Sequence, residues 1–160
     1  MKCTACRGDL KTVSTTHRYV ESGLPMVILH GVEVRRCKHC GKEEVAIPNV
    51  AGLHMGIAAR IVLRNSAIAP EELRFLRRYL GRSSKDFAKI LGYEPETLSR
   101  WENARLEIPK VVDRLVRLLV LRTAPDTDYS ADMLAEIRDT APKHPRISLR
   151  RRGNAWIAAA

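Results

Sequence analysis

The sequence predicts an α+β protein: a small cysteine-bearing sheet-plus-helix module, an all-α unit behind it, and a charged tail. Three observations predict it. All four cysteines fall in two Cys-x-x-Cys pairs, Cys3/Cys6 and Cys37/Cys40. Between and just after those pairs, apolar residues come in short β-branched runs broken by glycine and proline. From Pro70 to Arg122 they recur instead at three- and four-residue spacing, the period of a helix.

A length of 160 residues suits one ordinary domain or two small ones, and a hydrophobic content of 45% is enough to fill a core. No apolar run approaches the roughly 20 residues of a membrane helix. The start, Met1-Lys2-Cys3-Thr4-Ala5-Cys6, has no apolar h-region, so the expectation is a cytoplasmic protein without a membrane partner. The 28 Lys+Arg against 18 Asp+Glu leave a net charge of +10, which points to a polyanion, nucleic acid first.

In a reducing compartment a disulfide framework is a poor reading of the cysteines. Two Cys-x-x-Cys turns supply the four soft ligands of a closed tetrahedral zinc site, Cys3, Cys6, Cys37 and Cys40. The competing readings are a redox pair, unbonded structural thiols or another metal. A redox Cys-x-x-Cys usually sits where a strand feeds a helix in a βαβ unit, and no strand precedes Cys3. Thirty residues separate the pairs, more than the roughly 15–20 of short four-cysteine fingers, so folded structure lies between them. Four cysteines close the ligand shell and leave no open position for catalysis. His17, His30, His39 and His54 then read as surface residues or as neighbours of the ligands.

Val13 to Val20, Met26 to Leu29 and Val32 to Arg36 read as strands, interrupted by Ser22-Gly23 with Pro25 and by His30-Gly31. Glu43 to Ile47 is one more. Pro48-Asn49 ends the pattern, and Ala51 to Leu63 places Leu53, Ile57, Ala58 and Ile61 at helical spacing. The module, residues 1–63, has few aromatics and a thin core, so zinc is expected to supply much of its stability.

Residues 64–69 are weakly patterned and read as a linker. Pro70 opens a helix with Glu71 and Glu72 in its first turn and Leu73, Leu76 and Leu80 on one stripe, stopped by Gly81. Ser83 caps a second helix with Asp86 three residues on; Phe87, Ala88 and Leu91 are its apolar positions. Only Gly92-Tyr93-Glu94 separates it from a third, beginning at Pro95, that buries Leu98 and Trp101. Two short helices joined by a tight Gly-containing turn set the second into a DNA major groove. Arg100 can pair with guanine O6 and N7, Glu96 can accept from a cytosine amino group, and Thr97 can meet a thymine methyl or a phosphate. The alternative for Arg100 is an ion pair with Glu96, four residues back on the same face. Ser99 and Asn103 share the exposed faces of this helix. Ser84, Arg82, Lys85 and Arg105 are candidate phosphate contacts, which position without specifying sequence. Pro109 starts a longer helix with Val111, Val112, Leu115, Leu118 and Leu119, whose surplus apolar area offers a dimer seam.

Leu80-Gly81-Arg82-Ser83-Ser84-Lys85-Asp86-Phe87-Ala88 through Leu91-Gly92, with Thr97-Leu98-Ser99-Arg100-Trp101-Glu102-Asn103, resembles the Cro/C1-type (XRE) helix-turn-helix over about 70–122. Many members have Gln where Ser84 stands. Joined to the cysteine module, residues 1–122 resemble the MqsA family of antitoxins, with its YgiT-type zinc finger. The resemblance implies a structural zinc on Cys3, Cys6, Cys37 and Cys40, a helix-turn-helix that dimerises and represses its own operon, and an amino-terminal module that neutralises a ribonuclease toxin. It carries the family's base-reading arginine over to Arg100, within Ser99-Arg100-Trp101-Glu102. The base-reading asparagine of the family falls on Glu96.

The tail, 123–160, has no counterpart in that pattern. Residues 123–139 hold five acids and one arginine, with Met133, Leu134 and Ile137 suggesting a short helix. From Thr140 on there are Lys143, Arg146, Arg150, Arg151 and Arg152 and no acid, flanked by Pro142 and Pro145. This reads as an extended, flexible basic arm lying on phosphates or free in solvent. The expected function is therefore a non-enzymatic, sequence-specific DNA-binding regulator. It would act as a homodimer on a near-palindromic operator with half-sites ~34 Å apart, as the antitoxin of a toxin–antitoxin pair. The alternative is a stand-alone XRE-family repressor with a structural zinc finger and no toxin. No acid/base pair with a metal vacancy, nucleophile motif or phosphate loop points to catalysis.

Overall fold

The computed structural model describes residues 2–123, 129–140 and 146–159. The α+β class holds: a sheet carrying the cysteine cluster, then a five-helix region. Strands β1 (Leu10–Arg18), β2 (Val27–Cys37) and β3 (Glu43–Ala46) are followed by helix α1 (Val50–Val62). Helices α2 (Pro70–Tyr79), α3 (Ser84–Leu91), α4 (Pro95–Glu102) and α5 (Lys110–Leu121) come next. Two further strands, β4 (Ile147–Arg152) and β5 (Ala155–Ala158), return to the sheet. No helix among the described residues is long and apolar enough to cross a membrane.

β2 is the spine of the sheet. β1 runs antiparallel along one side of it; on the other, β3 pairs with Glu33–Arg36 and β4 runs parallel to Val27–His30. The sequence signal at His30-Gly31, expected to separate two strands, is instead a bulge inside one. The β1–β2 register slips between Thr15 and His17, and Gly31 takes a left-handed φ of 75°, which glycine adopts without strain. One extra residue restores the two-residue alternation, so Val27, Leu29, Val32 and Val34 all face the same side and are buried. Asn49 closes the run into α1, its side chain accepting from Gly52 N–H at 3.0 Å.

α1 lies on that inner face. Leu53, Ile57 and Ile61 are fully buried in one continuous core with Leu29 and Leu149 of the sheet, and this core also takes in Leu73, Leu76, Phe87, Leu98 and Val116 of the helical region. Burying each such side chain is worth roughly 1.5–3 kcal/mol before entropy is charged against it. The connection at 64–69 is tied down within this core. Arg117, wholly buried on α5, pairs with Asp113 at 2.5 Å and donates to the carbonyls of Val62, Arg64 and Ser66. Asp113 in turn accepts from Ile68 N–H at 2.7 Å. Arg64 makes a bidentate pair with the buried Glu72, which also caps α2 by accepting from Ala69 N–H.

The tail departs from expectation. Residues 147–158 are a β-hairpin built into the sheet, turning at Gly153-Asn154, and not an extended or flexible basic arm. Ile147 and Leu149 are buried beside Val27 and Leu29, and Trp156 packs inward and donates its indole N–H to the Pro48 carbonyl at 3.0 Å. The physical reason is the alternation of Ile147, Ser148, Leu149 and Arg150, which gives the strand one apolar face despite its charge. The expected helix around Met133 is a single 3-10 turn, Ala131–Leu134. Pro142, Lys143 and Pro145 lie outside the described residues.

Candidate metal centre and nucleic-acid interface

The two cysteine pairs meet at the end of the β1–β2–β3 ribbon remote from α1. Each sits on a tight turn. Cys3 N–H bonds the Gly8 carbonyl and Arg7 N–H bonds the Cys3 carbonyl; Cys37 N–H bonds Lys42 and Gly41 N–H bonds Cys37 in the same pattern. Arg7 (φ 57°) and Gly41 (φ 72°) occupy matching left-handed positions after the second cysteine of each pair. The four sulfurs lie within 4.8 Å of one another, with Cys3–Cys40 at 3.7 Å and Cys6–Cys37 at 3.4 Å. Zn–S bonds of ~2.3 Å in a tetrahedron put sulfurs ~3.8 Å apart, so the donor set fits a tetrahedral thiophilic cation such as zinc. Cys3 and Cys37 are buried, Cys6 and Cys40 exposed.

The turns also prepare the ligands electrostatically. Ala5 N–H donates to Cys3 Sγ and His39 N–H to Cys37 Sγ, each at 3.4 Å. Backbone donation from Ala5 and Cys6 lowers the Cys3 pKa, and donation from Cys40 and His39 brings Cys37 down to about 6. At Cys6 the Gly8 N–H also favours thiolate, but the crowding Cys37 and Cys40 sulfurs outweigh it and push the thiol up to about 12. Four thiolates so close repel one another, and a divalent cation at their centre relieves that repulsion. A residue the sequence reading missed is Gly8. A Cβ there would meet Cys37 Sγ at 3.2 Å, Cys6 Sγ at 3.3 Å and His39 Cβ at 3.1 Å. The pattern of Cys6-Arg7-Gly8 beside Cys40-Gly41 was its only signal.

None of the histidines among the described residues joins the cluster. His30 bonds Thr16, His17 sits near Glu21, and His54 Nε2 meets Tyr19 Oη at 2.9 Å, edge-on to Phe75. Burial lowers the His54 pKa.

The second constellation lies on α3 and α4. Ser83 caps α3, accepting from Asp86 N–H at 3.1 Å and donating to its carboxylate at 2.6 Å. Gly92, at φ 79°, makes the turn into α4. Leu98 and Trp101 point into the core, Trp101 edge-on to Tyr93. Behind them Glu102, buried, holds the α2 arginines: Arg77 at 2.6 Å and Arg74 at 3.6 Å. Glu102 was missed as an anchor, because a carboxylate on the core face interrupts the apolar period that would reveal it.

On the opposite face Glu96, Ser99 and Arg100 are exposed and Thr97 half-buried. The Arg100–Glu96 ion pair is not formed, and Arg100 has no carboxylate partner among the described residues. Arg82, Lys85 and Arg105 are exposed and likewise outside these ion pairs, and Ser84 is half-buried at the start of α3. Asn103 is committed locally: its amide donates to the Ser99 carbonyl at 2.7 Å and accepts from Arg74 at 2.7 Å, closing the end of α4. No family model matches the chain, and no curated protein matches it at a significant level.

Proposed function

We propose that this chain is a sequence-specific DNA-binding transcriptional regulator whose amino-terminal module is held by a structural Zn²⁺ on Cys3, Cys6, Cys37 and Cys40. The observation that carries it is the presentation of Arg100: exposed and unpaired, on a helix locked from behind by Leu98, Trp101 and Glu102. A rigid support with a free guanidinium suits bidentate recognition of guanine. Thr97, Glu96 and Ser99 flank it, and Arg82, Lys85, Ser84 and Arg105 ring it where a phosphate backbone would run. Asn103 serves as the C-terminal brace of the reading helix. On α5, Val111 (64% exposed) and Leu118 (43%) lie one heptad apart, an apolar stripe that supports a homodimer on a two-fold operator.

The finer reading makes the regulator an antitoxin of the MqsA type that represses its own operon and neutralises a ribonuclease-type toxin. It rests on the resemblance of residues 1–122, and co-expression with the product of the adjoining gene tests it: a stable complex and rescued growth support it, and no rescue leaves a stand-alone repressor. Selection of binding sites from a random duplex library tests the DNA reading. Arg100→Ala is expected to cost ~1–3 kcal/mol on the selected site and relax discrimination at one base pair. Affinity unchanged across site variants would make Arg100 structural.

A further inference from the structure

The return of the tail to the sheet creates a surface that neither the zinc site nor the reading helix uses. β4 alternates, so Ile147 and Leu149 face α1 while Ser148, Arg150 and Arg152 face the other way. Register puts Arg150 beside His30, Ser148 beside Ile28, and Ile28 in turn beside Arg18. The face opposite α1 therefore carries Arg18, Arg150, Arg152 and His30, with Thr16 and Ser148 between them as hydroxyl donors. The three arginines are exposed. None of them is in an ion pair among the described residues. Arg18 is pinned by two hydrogen bonds to the Pro25 carbonyl, which fix its guanidinium without neutralising it. Arg150 and Arg152 stand two residues apart on one strand, roughly 6–7 Å, held by the ladder and not by a mobile arm.

We propose that this outer sheet face is a second phosphate-contact surface, separate from the helix-turn-helix, that engages the nucleic-acid backbone. Its chemistry selects that occupant. Protein interfaces need an apolar centre, and a membrane surface needs apolar or aromatic anchors. Among the described residues, the apolar side chains that register places outward beside the arginines are Ile28, half-buried, Ile157 and the small Ala155. Interfaces with nucleic acid are more polar and far more positive, and the groups gathered around the arginines, His30, Thr16 and Ser148, can each donate to a phosphate oxygen; of the acids that register places on this face, Glu33 is paired with Arg151 and Glu44, opposite Arg35, accepts from Thr4. The surface reads no sequence; it adds affinity, and it makes that affinity salt-dependent.

Deleting the strand is not a clean test, since Ile147, Leu149 and Trp156 would leave the core with it. The full chain carrying Arg18→Gln, Arg150→Gln and Arg152→Gln keeps every buried residue. Binding of this variant to a labelled mixed-sequence duplex of about 40 bp is measured over about 50–200 mM salt. The log–log salt slope is expected to shrink by about 2–3, near 0.9 for each lost phosphate contact. A second variant, with lysine at the same three positions, retains the charge and is expected to restore the slope; it also controls for any folding defect of the first. A change smaller than about one contact overturns the proposal and leaves an acidic protein as the occupant. Failure of the wild-type chain to bind the duplex overturns it as well. The base-reading assignment stands or falls separately: Arg100→Ala relaxes discrimination at one base pair but leaves the contribution of the sheet face to the mixed-sequence slope.

Discussion

The two ends of β2 are held by different physics. At Val27–His30 the strand is flanked on both edges, by β1 and β4, and its inner face is covered by α1; Leu29 is completely buried. Past the Gly31 bulge Val32 is the last residue of β2 in the main core, and the inner face then thins to a cross-strand row of Val13, Val34 and Val45. Only Val34 in that row is buried; Val13 and Val45 are 38% and 40% exposed. One row of valines cannot offset the entropy of ordering three strands, and it is here that the four cysteines converge. Where apolar burial runs out, the four cysteines offer a metal ion as the alternative cross-link. The boundary between the two regimes falls at Gly31, inside a strand, and not at residues 64–69, where the sequence places the limit of the module.

Breaking the well-packed side is expected to give the largest effects. Arg117→Ala leaves Asp113 buried without its partner and three carbonyls without their donor, and is expected to cost ~3–5 kcal/mol by denaturant unfolding. A cost below 1 kcal/mol would show that the junction does not depend on this pair. Leu149→Ala, 120 residues from Leu29 in sequence but its direct partner in the sheet, is expected to cost ~2–5 kcal/mol. A surface-like effect there would detach the hairpin from the core.

The metal side responds to subtler changes. Gly8→Ala drives a methyl into the sulfurs of Cys6 and Cys37 and is expected to weaken zinc about 10–100-fold in a chelator competition, with little change in the helical region. Unaltered affinity would mean that the turn yields. The smallest effect lies between the regions, at His54. Burial holds its pKa below the usual 6.5, so the unfolded chain binds the proton more readily. Its contribution is complete above that value and is lost as pH falls through the folded pKa. His54→Gln is expected to flatten the acid side of the stability profile below pH 6.5, and identical profiles would exclude this role.

Much of this was legible in the sequence, for reasons that also explain the omissions. Cys3/Cys6 and Cys37/Cys40, the Ser83 cap, the Gly92 turn and the Leu98/Trp101 pair are local signals, each decided within a few residues. The β4–β5 hairpin was also locally encoded, by alternating Ile147 and Leu149 and by the Gly153-Asn154 turn, but three consecutive arginines made it read as solvated. Its parallel pairing with β2 spans some 120 residues and leaves no local trace. Glu72, Glu102, Asp113 and Arg117 are buried charges on core faces, where a periodicity of apolar residues registers only gaps. Gly31 carried the right signal, a break, without saying whether the chain turned or bulged.

Hydrogen exchange on the chain before and after metal removal tests the central contrast most directly. With zinc stripped, amides of Leu10–Thr15, Glu33–Cys37 and Glu43–Ala46 are expected to lose protection, while Val27–Leu29, α1, the β4–β5 hairpin and α2–α5 retain theirs. Uniform loss through the helices, or no loss in the ribbon, would contradict the division at Gly31.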